Sequence, residues 1–216
     1  MPNVPAAVVD WGRLEYGEAW RRQLELVAAR QRDEIPDTLV LVEHPDVLTL
    51  GRGTHQENVL PGANIPVFEI ERGGDVTYHG PGQLVGYPIF LLRPEERDLR
   101  LYLRNLEEAL IRAAATLGLS CGRKESLTGM WTQDMPQRKL ASLGVACKRW
   151  VTLHGFALNV STDLSRFSLI NPCGLNATVM ASLSSCLGRP VTLDEVKPLV
   201  IREFAEVFGR TFATTD

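Results

Sequence analysis

Residues 72–83 read Arg-Gly-Gly-Asp-Val-Thr-Tyr-His-Gly-Pro-Gly-Gln, so four glycines and a proline surround Thr77, Tyr78 and His79. Glycine permits positive φ and lets a ligand approach the backbone closely, and polar side chains spaced between glycines can point into the space left. A chain reversal needs only two to five loop residues, so this segment is longer and more polar than a turn requires. A second chemical segment is Asn171-Pro172-Cys173-Gly174, where turn formers flank one thiol and no apolar periodicity claims it. That setting suits a nucleophile. A free thiol with a pKa near 8.5 is only about 3% thiolate at pH 7, so it needs a cation or base beside it. Lys139, His79 and His154 are the candidates. From its own segment Lys139 reads as a surface lysine, and His154 reads equally as a hydrogen-bonded structural histidine. Cys147 and Cys186 read as small core hydrophobes, while Cys121, His44 and His55 carry no legible pattern.

Elements must hold these groups. Tyr16, Trp20, Leu24 and Val27 recur at helical spacing and predict a helix over 16–29, after a short apolar run at 6–9. Residues 38–42, 47–50, 67–70 and 84–92 predict strands in a loop-rich region. Residues 98–117 place Leu99, Leu103, Leu106, Leu110 and Leu117 on one helical face, with Gly118 as a stop. Residues 140–147 and 151–160 predict two strands flanking Lys148-Arg149, with Lys139 at the entrance. Thr192 to Glu195 is a capping-box pattern opening a helix that ends at Gly209. Strand clusters mixed with three helices predict an α+β (mixed α/β) fold, one sheet covered by helices, in a single domain over 1–216.

A net charge of −3 lacks the basic footprint of a nucleic-acid partner, and no apolar run approaches the length that spans a bilayer. A soluble, cytoplasmic enzyme without nucleic-acid or membrane partners is the expectation. The four cysteines show no metal-ligand spacing and are expected as free thiols, with no metal bound.

Four segments in order, residues 72–83, 139–144 (Lys-Leu-Ala-Ser-Leu-Gly), 154–159 (His-Gly-Phe-Ala-Leu-Asn) and 171–174, closely resemble the lipoyl(octanoyl) transferase family of lipoate biosynthesis. The resemblance spans residues 38–182. It implies a fold shared with biotin protein ligases and lipoate ligases. It also implies transfer of an octanoyl group from acyl carrier protein to a lysine of lipoyl domains, those of 2-oxoacid dehydrogenase complexes and of the glycine cleavage H protein. By the same resemblance Cys173 forms the acyl thioester and Lys139 lowers its pKa. Arg72, Gly73, Gly74, Asp75, Val76, Thr77, Tyr78, His79, Ser142, Leu143, Gly144, Gly155, Phe156 and Ala157 would line the substrate site.

Thioester exchange followed by attack of an amine is downhill without a nucleotide, so no cofactor is expected. Backbone N–H groups of residues 142–144 or of Gly73-Gly74 are candidate oxyanion donors. The basic residues Arg123, Lys124, Arg138, Lys148 and Arg149 are a candidate landing surface for an acidic carrier protein, or simply solvated strand ends. Two other readings stand beside this one: an ATP-dependent lipoate or biotin ligase, against which Cys173 discriminates, and a non-catalytic acyl-binding module.

Overall fold

The computed structural model describes residues 4–54, 58, 60, 64–171 and 177–213. Cys173 with its neighbours Pro172 and Gly174, and also His55, lie outside the described residues. The larger sheet has eight strands: β1 (Val4–Arg13), β2 (Asp37–Glu43), β6 (Gln83–Ile89), β7 (Cys121–Lys124), β8 (Leu127–Thr132), β9 (Lys139–Lys148), β10 (Val151–Asn159) and β11 (Arg210–Phe212). Their order is β11-β1-β2-β6-β10-β9-β8-β7, with β1 parallel to both β2 and β11 and the remaining pairs antiparallel. A smaller sheet places β3 (Val47–Leu50) between β4 (Val67–Glu69) and β5 (Thr77–His79).

The central strands are apolar on both faces because both faces are covered. In β2, Leu39 and Leu41 pack with helices α2 (Leu99–Thr116) and α4 (Leu193–Phe208), whereas Val40 and Val42 pack under helix α1 (Tyr16–Gln31). Period-2 alternation therefore splits one strand between two cores. On the α2/α4 side Phe156 of β10 meets Phe204, and Phe204 stacks on Phe208 with centroids 5.3 Å apart. On the other side α1 sets Ala19 and Val27 against Val85, Tyr87 and Leu153.

Helix ends follow their caps. Asp98 accepts from the N–H groups of Arg100 (2.8 Å) and Leu101 (3.1 Å), and Gly209 closes α4 with φ +58°. Thr192 accepts from the Glu195 N–H at 3.2 Å, but the Glu195 carboxylate turns to Arg189 at 2.7 Å, so only half of the expected box forms. Beside β11, Arg210 donates to Asp37 at 2.7 Å with both side chains 1% exposed, and Arg30 donates to the other Asp37 oxygen at 2.8 Å. This buried ion group ties α1, β2 and β11 together.

The mixed α+β architecture agrees with the sequence reading, and the predicted helices lie within a residue or two of α1, α2 and α4. The hairpin of β7 and β8, the short strands β5 and β11, and the short helix α3 (Leu183–Leu187) were not legible, and the run at 6–9 is part of a ten-residue strand. Cys147 and Cys186 are only half-buried, with Cys186 packed at the margin of the larger core. Cys121 is buried, and burial pushes its thiol up to about 12. Among the described residues no helix is long and apolar enough to cross a membrane.

Candidate active site

The site forms where two strands part. β8 pairs with β9 at Trp131↔Lys139 and Met130↔Ala141, and no pair forms past Ala141. Beyond Ala141, the edge of β9 is taken up by the glycine-rich segment, through a bond from the Gly73 N–H to the Val145 carbonyl at 2.9 Å. Both peptide groups of one residue point to the same side of an antiparallel strand, and alternate residues point oppositely. Leu143, midway between Ala141 and Val145, therefore turns its N–H and C=O into the gap. Gly144 makes the close approach possible: a Cβ there would lie 2.8 Å from the Gly73 oxygen and 2.9 Å from Arg72 Cδ.

Two cavities adjoin across this seam. The outer one, 290 Å³, is bordered by Gly73, Gly74, Asp75, Val76, Lys139 and Val145, with Leu103 of α2, Ser126 of the β7–β8 turn and Leu127 and Thr128 at the start of β8 opposite. The inner one, 30 Å³, has about the volume of one water molecule and is bordered by Tyr16, His79, Val85, Tyr87, His154, Gly155, Phe156 and Ala157. Arg72, Thr77, Ser142, Leu143 and Gly144 border both. Of the described residues that the resemblance assigns to the substrate site, Tyr78 alone borders neither: it packs on Phe167 and donates to Asp46 at 2.6 Å. Tyr16, Val85, Tyr87 and Leu103 were not foreseen, because each reads as an ordinary core position of its helix or strand.

A buried hydrogen-bond network fixes the inner wall. Arg72, 7% exposed, donates through Nη2 to the Thr49 carbonyl (2.8 Å) and to Thr49 Oγ1 (2.9 Å). The Thr49 hydroxyl then donates to His79 Nε2 at 3.3 Å, and His79 Nδ1–H donates to Gln83 Oε1 at 2.8 Å. Gln83 Nε2 donates onward to Asn159 Oδ1 (2.9 Å) and the Tyr78 carbonyl (3.2 Å), which fixes the orientation of its amide. His44 Nδ1–H donates to the Leu14 carbonyl and its Nε2 accepts from the Tyr87 hydroxyl, both at 2.7 Å. Burial, reinforced for His79 by the neighbouring His44, lowers the two imidazoles to about 3 (His79) and about 4 (His44). His79 is thus neutral with both ring nitrogens committed, a wall of the site rather than a proton relay.

His154 is different. It takes φ +58° in the middle of β10, and its N–H donates to Gln23 of α1 at 3.0 Å. Nε2 lies 3.3 Å from Glu71 Oε2, an electrostatic contact whose angle forms no hydrogen bond. That contact, together with Lys148 at 2.9 Å, holds the Glu71 carboxyl well below the usual carboxylate range, while burial lowers the His154 imidazole. Positive φ is uncommon outside glycine, though histidine adopts it more readily than most, and the bond to Gln23 helps to hold it here.

Lys139, 7% exposed, is anchored from the far side: its carbonyl accepts from the Ala181 N–H at 2.9 Å, and it bridges in parallel to Met180. Asn171 donates to the Asn58 carbonyl at 2.9 Å. The buried guanidinium of Arg72 and the ammonium of Lys139 both border the outer cavity, so a group that gains negative charge there is favoured. Among the described residues no cluster of His, Cys, Asp and Glu is arranged to hold a metal ion.

Residues 15–205 match the lipoyl protein ligase A/B catalytic domain. The chain belongs to that family. It is 52% identical over 197 residues to an octanoyltransferase of Syntrophotalea carbinolica, covering 91% of this chain and 92% of that one. To an octanoyltransferase of Geobacter metallireducens it is 52% identical over 196 residues, covering 90% of each. This family member is therefore an enzyme of the acyltransferase kind. Its fold is that of the lipoate and biotin ligases. A lipoate-protein ligase A bound with ATP superposes with a TM-score of 0.75 at 18% identity, over 100% of this chain and 89% of that one. A biotin protein ligase from Aquifex aeolicus gives 0.53 at 13% identity, over 94% and 68%.

Proposed function

We propose that this enzyme moves an octanoyl group from the thioester of an acyl carrier protein to the amine of a lysine on a lipoyl domain, by way of a thioester on Cys173. The observation that carries this reading is the placement of Lys139 on the same cavity as residues 72–77 and 142–144, with its backbone tied to Met180 and Ala181 just past the segment that holds Cys173. The names of the relatives supply the acyl group.

In the first half-reaction the Cys173 thiolate attacks the donor carbonyl, the oxyanion collapses, and the carrier thiolate leaves with a proton from the Lys139 ammonium. In the second the acceptor amine attacks the enzyme thioester, its proton passes to the now neutral Lys139, and the Cys173 thiolate is expelled, which restores the thiolate–ammonium pair. An ammonium about 4 Å from the thiol at an effective dielectric near 20 supplies up to about 4 kcal/mol, above the roughly 2.7 kcal/mol that lowers a thiol by two pH units. The Leu143 N–H, turned into the gap, is placed to meet the oxyanion. Val76, Leu103, Leu127, Leu143 and Val145 give the outer cavity an apolar side for the acyl tail, and burying its seven aliphatic carbons is worth up to about 5 kcal/mol.

Intact-mass measurement after mixing with octanoyl-carrier protein tests the reading. One hydroxylamine-labile octanoyl adduct mapping to Cys173, absent in Cys173→Ala, is the expected result. Adduct formation at Cys121, Cys147 or Cys186 instead would overturn it.

A further inference from the structure

Lys139 stands opposite Trp131 in the β8–β9 register, and its Nζ lies 5.6 Å from the indole centroid. Trp131 is wholly buried, 0% exposed. A second ammonium, that of Lys124 at the end of β7, lies 4.7 Å from the same ring. Each is bounded by its distance to the shared indole, so the two nitrogens are no more than about 10 Å apart, roughly one Debye length at 0.1 M salt. Both distances fall within the range at which an ammonium is attracted to an indole face.

The neighbouring backbone makes room for this arrangement. Gly129 takes φ +143°, and a Cβ there would lie 2.6 Å from the Ala141 carbonyl oxygen and 2.8 Å from Lys139 Cε. Its N–H donates to the buried Glu107 carboxylate at 2.9 Å, which holds that bend in place from α2. The Lys139 stem thus runs through a space that only glycine leaves open. Trp131 Nε1–H finds no acceptor among the described residues, and the ring face makes the contacts with charge. Arg72 and Asp75 share the outer cavity with Lys139, Glu107 braces Gly129, and Lys124 lies over the same ring.

We propose that Trp131 is a positioning residue of the transfer reaction: its π face carries the Lys139 ammonium and shares it with Lys124, coupling a rim charge to the site. This rests on the reading that Lys139 acts beside Cys173. Ring electron density then sets how firmly the ammonium is held, and the Lys124 contribution depends on ionic strength because that lysine is partly exposed.

Replacing a buried indole can unfold a protein, so the decisive perturbation is near-isosteric: fluorinated tryptophans placed at position 131 alone in the full chain. Single-turnover acylation by octanoyl-carrier protein should slow progressively with fluorine number, by about 2- to 30-fold across the series, at unchanged melting temperature. The pH midpoint of acylation should rise in the same order, since a less firmly held ammonium stabilises the thiolate less. Trp131→Phe should retain more rate than Trp131→Leu. Lys124→Gln should raise the midpoint slightly at low salt and not at about 0.5 M salt, where the fluorine effect persists. A flat fluorine series in an enzyme that Lys139→Ala inactivates overturns the role of Trp131 and leaves the wider reading intact. A native rate in Lys139→Ala overturns both.

Discussion

Acidification should destabilise this protein through two buried imidazoles in a window above the ordinary carboxylate range. His44 and His79 are held at about 4 and about 3 in the folded chain, chiefly by burial, against about 6.5 in an unfolded one. Both folded values are depressed, so the stability at stake is fully present above pH 6.5 and is lost as pH falls toward the folded values. Below pH 6.5 the unfolded chain binds a proton at each site that the folded chain refuses, and each such proton is worth 1.36 kcal/mol per pH unit. At pH 5 this amounts to about 2 kcal/mol for each histidine, about 4 kcal/mol together, a large share of the 5–15 kcal/mol typical of a domain. His154, lowered in the same direction, adds to the slope. Glu71 and Glu96, both held low by ion pairs, lose their contribution only below the ordinary carboxylate range, so the window from pH 6 to 5 belongs to the histidines. Urea titrations followed by tryptophan fluorescence at half-unit pH steps give the slope directly. Between two and three protons is the expected value, and His44→Gln should remove about one. A slope below one proton would show that these imidazoles take up charge inside the fold, and the fixed neutral tautomer of His79 would fall with it.

Two further substitutions probe the frame of the site. Gly144→Ala puts a methyl against the Gly73 oxygen and Arg72 Cδ, so it should cost about 1–3 kcal/mol in urea and slow single-turnover transfer at least tenfold; native transfer would mean that the seating of residues 72–74 on β9 is dispensable. Asp37→Asn removes the carboxylate shared by Arg210 and Arg30 and leaves Arg210 with the Glu96 carboxylate alone (2.8 and 3.1 Å), so it should cost about 1–3 kcal/mol, read as a fall in the urea midpoint; an unchanged midpoint would show that Glu96 suffices for the buried guanidinium.

The segments that carry chemistry were legible because their composition departs from what packing alone demands. Residues 72–83 hold more glycine and polar side chains than a turn needs, and in the fold they place Arg72, Thr77 and His79 on the cavities. Tyr16, Tyr87 and Val85 were hidden by the opposite circumstance: a residue that borders a site from within a helix or strand obeys the same periodicity as its core neighbours. The β7–β8 hairpin was obscured because Cys121–Lys124 is half polar, its register set by a bulge and by Glu107 of α2 rather than by alternation. Charge was the least legible. Arg123 lies on Glu107 (3.1 Å) and Glu108 (2.8 Å) of the preceding helix, and Lys148 on Glu71 (2.9 Å), pairings between different elements that no local spacing announces.

The parting of β8 from β9 after Ala141 has a consequence for how such a pocket can change. The outer cavity occupies the place where the next rungs of the ladder would form, with residues 126–128 on one rail and Leu143 and Val145 on the other. Its two sides are therefore held apart by main chain, which substitution cannot easily remove. Its width is governed by register, so lengthening or shortening the β7–β8 turn would widen or zip up the opening without altering any residue that borders it on the β9 side.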